Sequence, residues 1–137
     1  MSSPPEQQLA TIVVVEDDLL NMKLVTTVLG INGYRYYSAE TAEQGIELIR
    51  EHRPDMVLMD INLPGMDGLT ATKNIKADTD ICEIPVVILS AMGEDFSDAE
   101  EVGAMGLITK PITISSFVED LAGFLTSSAP PRTRKSA

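Results

Sequence analysis

Cysteine, histidine and positive charge are all scarce in this chain. Cys82 is the single cysteine, so no intrachain disulfide can form; that suits a reducing compartment, and a cytoplasmic protein is expected. His52 is the single histidine. Lys and Arg total 10 against 21 Asp and Glu, a formal net charge of −11. That balance repels phosphate backbones and anionic lipid headgroups, so neither direct nucleic-acid binding nor membrane docking is expected. No apolar run approaches membrane-spanning length, and the opening MSSPPEQQLA lacks the basic and apolar regions of a signal peptide.

What the chain does have is an ordinary globular complement of apolar residues, 44% of 137, enough for one domain with a substantial core. Their spacing alternates between two periods. T-I-V-V-V at 11–15 reads as a strand and ends in Glu16-Asp17-Asp18. Leu20, Leu24, Val28 and Ile31 then recur at helical spacing, with Gly33 as a stop. Tyr34 to Tyr37 reads as a second strand, and Thr41 with Gln44 forms a capping-box pattern before a second helix broken by Pro54. Asp55 to Met59 is apolar on both faces, the mark of a strand inside a parallel sheet.

A third helix is expected over 67–77. V-V-I-L after Pro85 gives a fourth strand ending at Ser90, and Leu107 and Ile108 give a fifth ending at Lys110-Pro111. A last helix carries Ile114, Phe117, Val118, Leu121 and Leu125 on one face. Between strands four and five, Ser97 and Glu100 form a capping pattern and Gly103 follows at once, which predicts a short or irregular fourth helix. Strands alternating with helices predict an α/β fold: a doubly wound, five-stranded parallel sheet with right-handed crossovers. The domain is expected over 11–125, with a flexible tail at 1–10 and a disordered one at 126–137.

The polar residues sit at the strand ends: Glu16 and Asp17 after the first, Asp60 at the third, Ser90 at the fourth, Lys110 at the fifth. In an open parallel sheet, ligands bind outside the carboxyl ends of the strands, so these five should share one crevice. A carboxylate closing a buried strand is costly unless paired or metal-bound. Three carboxylates together raise one another's proton affinity, and a hard divalent cation removes the conflict; oxygen ligands point to Mg²⁺.

This set of motifs resembles the receiver domain of two-component response regulators, the CheY-like family. The residues that carry the likeness are V-V-V-E-D-D, the loop D-I-N-L-P-G-M-D-G, the Ser90-Ala91 pair and Lys110-Pro111, over roughly Ala10 to Leu125. The stretch L-I-T-K-P-I-T-I-S-S-F is most similar to single-domain receivers of the DivK type. The resemblance implies the flavodoxin/CheY-like strand order 2-1-3-4-5. It also implies a phosphoryl group accepted on Asp60, with Lys110 and Ser90 as its companions and Mg²⁺ held by Glu16, Asp17, Asp60 and the backbone carbonyl of Asn62. It further implies a cis Lys110-Pro111 bond, and tuning of acyl-phosphate lifetime by Asn62 and Met92. The donor would be a histidine kinase or a histidine phosphotransfer protein, since His52 near a helix end is a poor phosphoryl carrier. Signalling would pass through contacts with a downstream protein target.

Two features depart from that family. Leu107 stands three residues before Lys110, where the family usually carries Tyr or Phe, so the usual aromatic readout has no ring here. The Ser90–Lys110 segment is also shorter than the family's habit. Other functions fit less well. A phosphatase of the haloacid dehalogenase type wants D-x-D, whereas this loop reads Asp60-Ile61-Asn62; an FMN binder wants a hydroxyl-rich phosphate loop where E-D-D-L-L-N stands. A binding module of receiver shape that signals without phosphorylation is the remaining alternative. No turnover enzyme is expected.

Overall fold

A computed structural model describes residues 10–91 and 96–128. Ten elements alternate among these residues: β1 (Thr11–Val15), α1 (Leu19–Ile31), β2 (Arg35–Ala39), α2 (Ala42–His52), β3 (Met56–Asp60), α3 (Gly68–Ala77), β4 (Val86–Ser90), α4 (Phe96–Glu101), β5 (Gly106–Thr109) and α5 (Ile114–Ser128). The strands form one parallel sheet in the order β2-β1-β3-β4-β5. The expected fold class and strand order are both observed.

Strand period separates the two faces. Val13, Val15, Val57, Met59, Val86 and Ile88 point to one side, where Ala42 and Ile49 of α2, Ala71 and Ile75 of α3, and Ala99 of α4 cover them. Ile12, Val14, Met56, Leu58, Val87 and Leu89 point to the other, under Val25, Val28 and Leu29 of α1 and Phe117 and Leu121 of α5. Both faces of β1, β3 and β4 are therefore buried, which is why these strands read as continuous apolar runs. Gly45 lets α2 lie close on β1: a Cβ there would stand 2.5 Å from a Val15 methyl.

The helix ends follow side-chain chemistry. Asp18, Thr41 and Asp67 each accept a hydrogen bond from the amide three residues on, capping α1, α2 and α3. At the end of α1, Gly33 at φ +85° donates to the Gly30 carbonyl and Tyr34 to that of Leu29, a Schellman pair. Tyr34 is thus spent on closing the helix, and β2 begins one residue later than the sequence suggested, in register from Thr11↔Arg35 to Val15↔Ala39. It is an edge strand with Arg35, Tyr36 and Ser38 exposed, so its apolar pattern was weak.

The fourth helix is short, as expected, but starts at Phe96. Ser97 therefore lies inside it and is not its cap. Gly103, at φ +98°, closes it with a second Schellman pair, Gly103 to Glu100 and Ala104 to Ala99. β3 is shifted by one residue from its expected bounds, so that Asp60 is the last strand residue itself. α5 runs on to Ser128, past the expected end at Leu125. Residues 1–9, 129–137 and Met92 lie outside the described residues.

Candidate functional site

The sheet order sets β1 and β4 on either side of β3, so their carboxyl ends form the floor of one crevice. Backbone bonds fix the strand ends: Glu16 N–H donates to the Ala39 carbonyl, Ile61 to that of Leu89 and Lys110 to that of Ser90, the last at 2.7 Å. The Lys110-Pro111 bond is cis.

Glu16, Asp17 and Asp60 each offer a carboxylate oxygen, and these lie within 4.8 Å of one another. Glu16 and Asp60 are buried, while Asp17 is exposed. Lys110 Nζ sits 3.1 Å from Glu16 Oε1 and 3.1 Å from Asp60 Oδ1. Asp60 Oδ1 also accepts the Asn62 N–H at 3.3 Å, so two donors orient the carboxylate. Glu16 Oε2 accepts the Asp18 N–H at 3.1 Å, but Oε1, though close to Lys110, accepts no hydrogen bond of proper geometry.

The electrostatics are unresolved by the protein alone. Burial, then the hydrogen bond and charge of Asp60, push Glu16 up to about 7. Burial pulls the Lys110 ammonium down, but its close contact with Glu16 and its attraction to Glu16 and Asp60 outweigh that and hold it above its ordinary value. Three carboxylates against one ammonium leave a formal surplus of two negative charges. A buried carboxylate oxygen held by an ion pair but no well-formed hydrogen bond, and a deficit matching a divalent cation, are features of a hard-metal site. The donor set, all oxygen, fits Mg²⁺.

Ser90 is fully buried at the end of β4, and its hydroxyl lies 3.5 Å from the Ala91 carbonyl, too long for a formed O–H···O bond. Leu107 is half-buried on β5 against the core face covered by α2 and α3. Asp18 stays outside the carboxylate cluster and serves as a cap.

One contact at the site escaped sequence reasoning. Gly68 opens α3 against the back of Asp60: a Cβ there would lie 2.1 Å from the Asp60 carbonyl oxygen and 2.8 Å from Ile61 Cα. The glycine permits the helix to begin directly behind the reactive-looking carboxylate. Its trace in the sequence is its place as the last residue of the D-I-N-L-P-G-M-D-G loop, after the capping Asp67.

With this geometry the comparisons with known proteins agree. The family profile of the response regulator receiver domain matches residues 12–122. The polar-differentiation response regulator DivK of Brucella anthropi is 37% identical over 117 residues, covering 84% of this chain and 95% of that protein. The receiver domain of the sensor histidine kinase PA1611 from Pseudomonas aeruginosa, solved with a magnesium ion coordinated in its active-site cleft, superposes with a TM-score of 0.79 at 26% identity; the match covers 87% of this chain and 99% of that one. NtrX of Brucella abortus gives a TM-score of 0.81 at 28% identity over 93% of this chain and 29% of its own. The chain belongs to the response regulator receiver domain family, with DivK among its similar members.

Proposed function

We propose that this protein is a single-domain response regulator that accepts a phosphoryl group on Asp60 and signals through protein contacts. The observation that carries the reading is Asp60 itself, a buried carboxylate oriented by Lys110 at 3.1 Å, with oxygens of Glu16 and Asp17 beside it. Coverage of 95% of the Brucella anthropi DivK protein supports a function that needs only this one domain.

An Asp60 carboxylate oxygen attacks the phosphorus of a phosphohistidine on a histidine kinase or phosphotransfer protein. The P–N bond breaks, its electron pair leaves on the imidazole nitrogen, and an acyl phosphate remains. No general base is required, because the nucleophile is already an anion. Lys110 turns from the carboxylates toward the phosphoryl oxygens and neutralises charge there. The Ser90 hydroxyl, not committed to a strong partner, donates to a phosphoryl oxygen.

Glu16, Asp17, Asp60 and the Asn62 carbonyl would hold Mg²⁺, which, when bound, offsets the surplus negative charge that would otherwise repel the donor. Asn62, two residues beyond Asp60, borders the path by which water reaches the acyl phosphate, and Met92 is assigned the same role. Hydrolysis there is slow and self-catalysed, so the protein is an acceptor and not a turnover enzyme.

A protein donor is supported by the surface around the crevice. Leu19 and Leu20 at the start of α1 are 72% and 79% exposed, and Ile114 at the start of α5 is 59% exposed. All three lie at the carboxyl edge of the sheet, where apolar side chains have no structural reason to face water. No described helix is long and apolar enough to cross a membrane, and a cytoplasmic location accords with the lone cysteine.

Intact mass after incubation with Mg²⁺ and acetyl phosphate tests the reading. A phosphate-sized gain that is absent in Asp60→Asn and absent without Mg²⁺ is expected. If neither acetyl phosphate, beryllofluoride nor a panel of kinases modifies or occupies the protein, it acts as a binding module without phosphorylation.

A further inference from the structure

The fourth helix poses a mechanical question. Six residues cannot hold a helix by themselves. Among the described side chains of α4, Ala99 alone is deeply buried, and the Schellman turn that ends the helix depends on Gly103 staying at φ +98°. Something outside the helix must fix this corner.

Lys76, near the end of α3, is placed to do so. Its ammonium donates to the carbonyl of Cys82 at 3.1 Å and to that of Ile84 at 2.7 Å, the latter next to the Pro85 that opens β4. Its stem lies against Gly103, where an added Cβ would come within 2.9 Å of Lys76 Cγ. Met105, just beyond, donates to the Val86 carbonyl at 2.8 Å. One side chain thus touches the entry to β4 and the exit from α4. The same helix begins with Gly68 against the Asp60 carbonyl.

We propose that Lys76 is the positioning residue that ties the α4–β5 corner to α3, and so carries displacements of α3 at Asp60 to that corner. Leu107 offers no ring to report the state of Asp60 from β5, whereas α3 spans the distance as one rigid helix. The second half of the proposal rests on Asp60 as the phosphoacceptor; the first does not. What the tie orients is the exposed acidic row Asp98, Glu100 and Glu101 on α4, which faces outward beside Gly103.

Hydrogen exchange on the whole chain tests it, comparing wild type with Lys76→Met, which keeps the stem and removes the donors, and with Lys76→Arg, which keeps donors. In the unmodified protein, the amides of Ile84, Gly103, Ala104 and Met105 should exchange at least tenfold faster in Lys76→Met, with β1 and β3 unchanged and Lys76→Arg close to wild type. Uniform acceleration, no acceleration, or equal behaviour of the two variants overturns the tie. If Lys76→Met does not fold, Lys76→Gln, which also loses the ammonium, takes its place: faster exchange confined to the corner supports the tie, and its absence overturns it. Adding Mg²⁺ and beryllofluoride then tests the relay. A change at Ile61 and Asn62 reports occupancy of the site in every variant, and a change at Gly103 to Met105 in wild type only is the expected result. A corner response that persists in Lys76→Met, or is missing in wild type despite a response at Asn62, overturns the relay and leaves the Asp60 reading intact. No response at Asn62 in any variant overturns the Asp60 reading and the relay with it, while the tie stands or falls on the first comparison.

Discussion

Two half-buried lysines occupy opposite ends of α3's neighbourhood, and burial lowers the proton affinity of both. Lys110 nevertheless ends above its ordinary value because Glu16 and Asp60, both anionic partners, face it. Lys76 ends below, since burial dominates and its hydrogen-bond partners are the neutral carbonyls of Cys82 and Ile84; only Cys82 pulls the other way. Around Lys110, charge is left over: three clustered carboxylates face one ammonium, and one buried carboxylate oxygen accepts no well-formed hydrogen bond. Around Lys76, polarity is satisfied. The loop after α3 is gripped at alternate carbonyls, Asp80 by Arg53 and Cys82 and Ile84 by Lys76, while Arg50 pairs with Asp78 at 2.6 Å. The candidate site keeps its charges unbalanced; the corner at Lys76 closes its hydrogen bonds.

The largest expected contrast comes from replacing each lysine by Met. Lys110→Met should slow phosphorylation of Asp60 by acetyl phosphate by about 100-fold or more, the usual loss when one charge-stabilising donor leaves a phosphoryl or acyl site. Lys76→Met should leave that rate essentially unchanged. Time courses of intact mass read both. If the two variants are slowed alike, the division between chemical and structural lysine is wrong.

The two glycines behind these regions should separate next. Gly68→Ala drives a Cβ into the Asp60 backbone, which cannot yield, so a stability loss of about 1–3 kcal/mol is expected together with impaired phosphorylation. Gly103→Ala meets only the flexible stem of Lys76 but must hold φ +98°, a cost of about 1–2 kcal/mol, with phosphorylation retained. Urea unfolding paired with the mass assay distinguishes them. Full phosphorylation in a folded Gly68→Ala protein would show that the fit behind Asp60 is not needed.

A subtler difference lies in pH. Glu16 is raised from 4.5 to about 7 in the folded, metal-free protein, so the folded state binds more protons than the unfolded one across that window. Its contribution to stability is therefore present at low pH and lost as pH rises from about 4.5 to 7. Glu16→Gln should flatten that decline in thermal midpoints, and it should also weaken the stabilisation that Mg²⁺ gives at pH 7. An unchanged slope in the variant would move the effect to another group.

How much of this was legible in the sequence divides along the same line. Strands β1, β3 and β4 are buried on both faces, so their apolar runs and the polar residue ending each could be read directly, and the crevice residues Glu16, Asp17, Asp60, Ser90 and Lys110 with them. β2 was shifted because it is an exposed edge strand whose limits come from its register with β1 and from the turn that uses Tyr34. Ser97 looked like a cap from spacing alone, and the helix simply starts before it. Gly68 was legible as part of the loop motif, but its fit behind Asp60 and the contacts of Lys76 were not, because they are distances across a loop or to residues far along the chain, which no local pattern encodes. Chemistry left a signature in residue type; positioning did not.

The smallest effect sharpens the structural side. Arg53 caps α2 in the left-handed region at φ 45° and meets Asp80 twice, through the carbonyl at 2.8 Å and the carboxylate at 2.9 Å. Both side chains are more than half exposed, 54% and 58%, so the ion pair contributes only about 0.2–1 kcal/mol. Left-handed backbone costs a residue with a Cβ about 1–2 kcal/mol, and glycine nothing comparable. Arg53→Gly should therefore lose the pair, relieve the backbone and come out within about 0.5 kcal/mol of wild type, while Arg53→Ala loses the pair, keeps the strain and falls roughly 1 kcal/mol below Arg53→Gly. Urea midpoints of the two variants measure the gap. If they coincide, the backbone carries no strain at Arg53, and the residue matters only through its side chain's hold on Asp80.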